Sequence, residues 1–141
     1  TYRMNLIKLV HQLGLKSHVR FHNRYKTKRE LIRYLHATDI CITPYIGPDQ
    51  ISSGTVVYAL GAGRAVVSTP YLHAKEVLSH GRGMFCEFKN PDSIADGVKK
   101  LLENDKLRRD IEKKAYRYSR SFTWPKVAQK YTDILKQAIH A

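Results

Sequence analysis

The sequence has few acidic residues and few cysteines. Its 141 residues carry 25 Lys and Arg against 12 Asp and Glu, a formal net charge of +13 at pH 7. The two cysteines, Cys41 and Cys86, each lie in an apolar run that is typical of a buried strand. Two thiols in such places exclude a disulfide-rich secreted scaffold and favour small buried side chains in a reducing compartment.

Long apolar runs and several common catalytic motifs are also missing. No run approaches the roughly 20 apolar residues of a membrane-spanning helix, and the first residues lack the layout of a signal peptide. The sequence contains no C-x-x-C, no H-E-x-x-H, no P-loop lysine motif and no G-x-G-x-x-G after a strand. We therefore expect neither a metal nor a cofactor. A length of 141 residues predicts one soluble domain, cytoplasmic in location.

What is present is an uneven positive charge. Residues 1–38 hold nine basic residues and one acidic (+8), residues 39–90 hold four of each, and residues 91–141 hold twelve basic and seven acidic (+5). Basic flanks around a neutral centre favour anionic partners: nucleic acid, an anionic membrane surface or a phosphorylated small molecule. The charge alone does not choose among them.

Short apolar runs alternate with helical patterns through the middle of the chain. The runs at 19–22, 39–44, 65–70 and 84–88 are typical of buried strands. Their alternation with helices predicts an α/β fold, a partial Rossmann-like, doubly wound parallel sheet of about three to four strands flanked by helices. Residues 91–141 have the apolar spacing of C-terminal helices. The chain opens on a helical pattern with no preceding strand, so we interpret residues 1–141 as a single, incomplete domain.

The loop that follows the 39–44 strand ends in Ser52, Ser53, Gly54 and Thr55, at the predicted start of a helix. In open α/β sheets, ligands bind at the carboxyl ends of strands, beside helix N-termini. The free backbone N–H groups and hydroxyls of this segment suit a phosphate or diphosphate, and Gly54 lets the backbone approach an anion closely. The alternative is a serine N-cap with no ligand.

Two further loops fall at the same predicted edge. Five basic residues lie between residues 20 and 29. There Tyr25 can stack on a base and Arg24 can hold a phosphate, whereas the alternative is a solvated basic loop. In the loop at 69–76, His73 and Glu76 form either an acid–base pair or an ordinary i,i+3 pair at a helix start.

Several motifs follow one another along the chain. They are A-T-D-I at 37–40, T-P at 43–44, Y-A-L-G-A-G-R-A-V-V-S-T at 58–69, E-V-L at 76–78 and F-T-W at 122–124. In this order they resemble the C-terminal, nucleotide-sugar donor-binding domain of the GT-B glycosyltransferases, glycosyltransferase family 4 in particular. The resemblance spans nearly the whole chain.

The resemblance implies a function as well as a fold. It implies binding of a nucleoside-diphosphate sugar as donor and transfer of that sugar with retention, without a metal. Family members carry two glutamates separated by seven residues, and these positions are Gln50 and Tyr58 here, which leaves the catalytic residues unknown. By resemblance, Gln50 contacts the donor sugar, and Tyr58 either contacts the ribose or lies in the core. The remaining implied contacts are Ser52, Ser53, Gly54 and Thr55 beside sugar and phosphate, and Asn23, Arg24 and Tyr25 in the base-facing loop.

The resemblance also implies missing parts. The first two strands of this domain, with the Arg and Lys that hold the donor diphosphate in the family, have no counterpart, and neither has the N-terminal acceptor domain. The chain is then a fragment or a remnant, inactive alone, and its partners are a nucleotide-sugar donor and an N-terminal domain on the same or a separate chain. An anionic membrane surface is a further partner, which would make the protein peripheral to the membrane.

Two alternatives stay open at this point. One is a basic binding module for nucleic acid, which we favour less, or for an anionic membrane surface. Tyr25, Tyr34, Tyr116 and Tyr118 interleave with basic residues as in stacking platforms, although helix faces packed on a sheet have the same pattern. The other is a non-catalytic, glycosyltransferase-like partner subunit, consistent with the loss of both glutamates.

Overall fold

The computed structural model describes residues 1–139, and these form seven α-helices and three strands. In chain order they are α1 (Tyr2–Gln12), α2 (Lys28–Ala37), β1 (Ile40–Thr43), α3 (Gly54–Gly61), β2 (Ala65–Ser68), α4 (Leu72–Leu78), β3 (Met84–Phe85), α5 (Pro91–Glu103), α6 (Asp105–Ser119) and α7 (Trp124–Ile139), with a short 3₁₀ turn at Arg120–Phe122. The predicted alternation of strands and helices is confirmed.

The three strands form one parallel sheet in the order β1-β2-β3. Ile40 pairs with Ala65, and Val67 pairs with Met84. Each strand is shorter than predicted. β1 ends before Pro44, whose nitrogen has no hydrogen to donate to a ladder.

The strand predicted at 19–22 is wrong. The segment has no ladder hydrogen bonds, and Arg20, Phe21 and His22 are exposed. A strand exists only through bonds to a neighbour, and in the described chain no strand lies beside this segment. The sheet therefore has three strands among residues 1–139.

Helices cover both faces of the sheet, and β2 lies at its centre. Val66 faces one cluster, together with Leu60 of α3 and Val77 of α4. Ala65 and Val67 face the other, with Leu101 of α5 and Ile111 of α6. All residues of β2 are fully buried, as expected when a strand alternates its side chains between two covered faces. This arrangement confirms the doubly wound prediction.

The two terminal helices differ from the central ones. α1 and α7 have no buried residue, yet both carry large apolar side chains that are exposed. These are Tyr2, Met4 and Leu9 on α1 with Leu13 at its C-terminal cap, and Trp124, Tyr131, Ile134, Leu135 and Ile139 on α7. Within residues 1–139, no helix combines the length and apolar composition needed to cross a bilayer.

Candidate functional site

The start of α3 opens into a cleft of about 390 Å³, which we call the α3 cleft. It is lined by Lys28, Ser52, Ser53, Gly54, Val57, Tyr58, His73, Phe122 and Trp124. Four of these, Ser52, Ser53, Gly54 and Tyr58, are among the predicted site residues. The cleft lies where the loop from β1 enters α3, at the carboxyl edge of the parallel sheet, which is the usual place for ligands in such folds.

The N-terminus of α3 has two backbone amides without a partner. Ser53 is the N-cap: its side chain, only 5% exposed, accepts from the Val56 amide at 3.4 Å. Within residues 1–139, the amides of Gly54 and Thr55 donate to no other group. A Cβ on Gly54 would meet nothing within 4 Å, so there is open space beside the first residue of the helix. Unpaired N–H groups at the positive end of a helix dipole favour an anion.

The loop before α3 is held against the start of α4. The Leu72 amide donates to the Pro48 carbonyl at 3.0 Å, and the His73 amide donates to the Gln50 carbonyl at 3.1 Å. In return, the Ser53 amide donates to Nδ1 of His73 at 2.8 Å. No hydrogen bond or ion pair joins His73 to Glu76 in the described part of the chain, so the two do not form the acid–base pair considered above; His73 bonds to Ser53 instead.

Gln50 and Tyr58, the two positions that the resemblance matches to glutamates, have different surroundings. Gln50 is exposed, and its Nε2 donates to the carbonyl of Ser52 at 2.5 Å, which folds its side chain back on the loop. Tyr58 lines the α3 cleft and is 43% exposed. The interpretation of Tyr58 as a core residue is therefore wrong, since Val56, Ala59 and Leu60 fill the core side of α3.

Thr55 faces two smaller clefts beside the α3 cleft. One, of about 340 Å³, lies against the end of β1 and is lined by Ile42, Thr43, Pro44 and Tyr45. The other, of about 310 Å³, lies between α2 and α3 and is lined by Leu31, Leu35, Gly54 and Tyr58. Apolar walls thus adjoin the open amides, as in small-molecule sites that combine apolar surface with a few polar groups.

The structure does not bring Asn23, Arg24 and Tyr25 into the α3 cleft. A guanidinium nitrogen of Arg24 lies 2.5 Å from Oε1 of Glu30, and Tyr25 is 91% exposed. The pKa of Glu30 is lowered first by the Thr27 backbone amide, then by the Thr27 hydroxyl and Arg24. The predicted base-facing loop is therefore bonded to its own helix and presents Tyr25 to solvent.

Sequence reasoning missed Lys28, Phe122 and Trp124 as cleft residues, and it placed His73 at this edge only as a partner of Glu76. Lys28 could have been found as the basic residue that begins α2, whereas Phe122 and Trp124 come from a distant segment and had no local signal. Among the described residues, the lining contains a lysine and a histidine but no carboxylate. That balance suits an anionic ligand.

The fold matches that of GT-B glycosyltransferases. The chain belongs to the family "Glycosyl transferases group 1", whose profile matches residues 1–118. This match confirms the resemblance drawn from the order of the motifs.

Individual proteins agree with that assignment. The chain is 31% identical over 112 residues to an uncharacterized glycosyltransferase of Methanocaldococcus jannaschii, covering 77% of this chain and 28% of that protein. The structure of Anabaena HepE in complex with UDP-glucose superimposes with a TM-score of 0.84 at 20% identity, over 96% of this chain and 37% of that one. The C-terminal domain of LpcC, a group 1 glycosyltransferase of Francisella tularensis, gives a TM-score of 0.75 at 22% identity, over 85% and 61%. The chain thus spans less than a third of the archaeal relative's length.

Proposed function

We propose that this chain binds the nucleoside-diphosphate part of a nucleotide-sugar donor and forms the donor-side part of a retaining glycosyltransferase. The observation that carries the proposal is the pair of unpartnered amides, on Gly54 and Thr55, at an open helix start. Membership of the group 1 family makes a donor diphosphate the anion of choice.

The chemistry of the cleft supports an electrostatic role. In sugar transfer the nucleoside diphosphate leaves with negative charge, and preorganised N–H groups that face the departing oxygens stabilise that charge. The Gly54 and Thr55 amides and the Lys28 ammonium would perform this task. Ser52 and Ser53 would lie beside the sugar and phosphate, Gln50 would hydrogen-bond sugar hydroxyls, and the phenol of Tyr58, exposed in the cleft, would donate to the ribose.

The donor class is supported by a structural neighbour. The Anabaena protein was solved with UDP-glucose, so a nucleoside diphosphate sugar fits a protein of this fold. We assign Asn23, Arg24 and Tyr25 to the base side of the donor, with Tyr25 free to stack. Neither a metal nor a cofactor is included in this proposal.

A second domain is part of the proposal. The exposed apolar side chains of α1 and α7 exceed the scattered apolar residues that ordinary surfaces carry. We propose that an N-terminal glycosyltransferase domain, on the same or a separate chain, covers them and supplies the acceptor site. We treat residues 1–141 as one incomplete domain, and we expect no sugar transfer by these residues alone.

Calorimetric titration of the purified chain with UDP, GDP and uridine tests the proposal. We expect a nucleoside diphosphate to bind weakly and the nucleoside to bind more weakly still. Lys28→Met should weaken binding of the diphosphate but not of uridine. Lys26→Met is the matched control, because Lys26 Nζ lies 3.3 Å from the Tyr34 hydroxyl and over its ring. Equal effects of the two variants would contradict the assignment of Lys28.

The same titration distinguishes donor binding from the alternative of a basic binding module. Single-stranded RNA and vesicles that contain anionic lipid replace the nucleotide, over a range of salt concentrations. Steep salt dependence with RNA or vesicles, together with no response to either nucleoside diphosphate, would replace the donor function by a basic binding module.

A further inference from the structure

His73 holds the loop that enters α3 at two points. Its backbone amide donates to the Gln50 carbonyl at 3.1 Å, and its Nδ1 accepts from the Ser53 amide at 2.8 Å. The side chain is half-buried and lines the α3 cleft. One residue of α4 therefore fixes both ends of the segment between Gln50 and Ser53.

The direction of the Ser53 bond sets the protonation of the ring. An amide N–H can only donate, so Nδ1 must carry a lone pair, and a neutral imidazole then holds its hydrogen on Nε2. A protonated ring would present N–H to N–H at this contact. The structure thus assigns His73 as the neutral, Nε2-protonated tautomer.

The bond also decides which amides of the helix start remain open. Ser53 is held by His73 through its amide, and its hydroxyl accepts from Val56 and lies 3.5 Å from the hydroxyl of Tyr45. With Ser53 fixed on both sides, the two unpaired amides that follow it, on Gly54 and Thr55, are held in place at the start of α3. Amides that are already oriented bind an anion without the ordering that a free loop would need.

We propose that His73 is a positioning residue for the donor phosphates: its Nδ1 holds Ser53 so that the Gly54 and Thr55 amides face the diphosphate. This rests on the proposed function. His73 lies in the first turn of α4, which follows β2, and is twenty residues along the chain from Ser53, so the phosphate site requires two strand-to-helix connections rather than one.

Two substitutions of His73 test the contribution of its acceptor atom separately from that of its ring. His73→Asn keeps an acceptor, since the Asn Oδ1 lies the same number of bonds from the backbone as Nδ1, whereas His73→Phe keeps a ring without one. His36→Phe is the control, because His36 is exposed on α2 and does not line the cleft. Each variant is first shown to be folded by circular dichroism and thermal melting.

Titration with UDP and with uridine gives the result. We expect His73→Asn and His36→Phe to bind UDP within about threefold of the wild type. We expect His73→Phe to bind about tenfold more weakly, which is the loss produced when one amide no longer hydrogen-bonds the charged diphosphate. Uridine affinity should not change, because uridine has no phosphate for these amides to bind. If folded His73→Asn and His73→Phe are equally weak for UDP, or if uridine binding falls as much as UDP binding, the positioning role is overturned.

Failure of the proposed function gives a different result. A wild-type chain that binds no nucleoside diphosphate overturns donor binding and this role with it, whereas a wild type that binds while all variants match it overturns only the role of His73. A ligand-free measurement stands beside the titration. Long-range ¹H–¹⁵N spectra should show the Nε2-protonated tautomer of His73 at neutral pH, and the Nδ1-protonated form would overturn the assignment.

Discussion

The two loops that precede α2 and α3 have the same helix-start chemistry and opposite surroundings. Each ends in a hydroxyl N-cap, Thr27 in one case and Ser53 in the other. The loop at 44–53 is bonded to α4 through three hydrogen bonds that span about twenty residues or more of sequence. Within residues 1–139, the loop at 23–27 is bonded only to its own helix, chiefly through Glu30.

This difference assigns different tasks to the two loops. A phosphate site needs amides that are fixed before the ligand arrives, because reorienting them would reduce the stabilisation they provide. A base can be held by an aromatic ring that moves onto it, since stacking tolerates variation in geometry. The anchored loop therefore suits the diphosphate, and the free loop with Tyr25 suits the base.

The largest effect is expected from a negative charge placed at the anchored helix start. Gly54→Asp has room for its Cβ, and a carboxylate in the first turn of a helix is favourable to its stability. The same carboxylate repels a diphosphate, so we expect about a 30-fold loss of UDP affinity, roughly 2 kcal/mol. Thermal stability should be unchanged or slightly higher.

Gly47→Asp is the control for that experiment. It makes the same charge change in the same loop, also into open space, but away from the α3 cleft. UDP titration and thermal melting of both variants make the comparison. If Gly54→Asp bound UDP with wild-type affinity, the proposal that the diphosphate binds at the start of α3 would be wrong.

The two N-caps can be compared directly with Ser53→Ala and Thr27→Ala. Each variant should lose about 1 kcal/mol of folding stability, the usual effect of removing a hydroxyl N-cap. Only Ser53→Ala should also lower the affinity for UDP, by about fivefold, because the Ser53 hydroxyl that it removes helps to orient the amides beside it. Urea unfolding and calorimetry measure the two effects, and equal UDP affinities in the two variants would contradict the contrast between the loops.

The sheet and its covering helices could be predicted because their signals are local. The runs that became β1, β2 and β3 are apolar, and helix-forming segments stand between them, so the doubly wound arrangement followed from periodicity and packing. The segment at 19–22 has the same local signal but no neighbouring strand in the described chain. Strand formation depends on that partner, which a local pattern does not contain.

The parts of the candidate site that have a local signal could be predicted, and the contacts between distant segments could not. Ser53 and Gly54 could be found because a hydroxyl followed by glycine at a helix start has a local physical reason. The bond from Ser53 to His73 could not, because it joins residues from two connections that only the parallel sheet brings together. Trp124 was missed for the same reason, since it follows α6 in the sequence and only the folded chain brings it to the cleft.

A smaller effect is expected in the free loop. Tyr25→Ala removes a ring that makes no described contact of its own and is 91% exposed, so folding stability should not change. If the ring stacks on the donor base, affinity for both UDP and uridine should fall about threefold to fivefold, near 1 kcal/mol. Tyr2→Ala on α1 is the control. A fall for UDP without one for uridine would argue against a base-facing role.

The smallest effect is expected for the acid stability of α2, where Thr27 and Glu30 form reciprocal hydrogen bonds, a capping box. Because the Thr27 amide, its hydroxyl and Arg24 all favour the ionised form of Glu30, its pKa in the folded protein is lowered. A folded pKa below the unfolded value means that the stabilisation is complete above the unfolded pKa, about 4.3, and is lost as the pH falls through the lower folded value. Glu30→Gln should therefore be slightly less stable than the wild type at neutral pH and equal to it in strong acid.

Urea unfolding across this pH range measures the difference, with Glu76→Gln as the control, since the Glu76 side chain has no hydrogen bond or ion pair within residues 1–139. If the difference in stability between the wild type and Glu30→Gln persisted in acid, Glu30 would act by packing rather than by charge. UDP affinity at neutral pH should be the same in the wild type and Glu30→Gln, because the contacts of Glu30 stay within the loop at 23–27 and its helix. A loss of UDP affinity here would show that the free loop, too, is ordered for the ligand, and the division of tasks between the two loops would then fail.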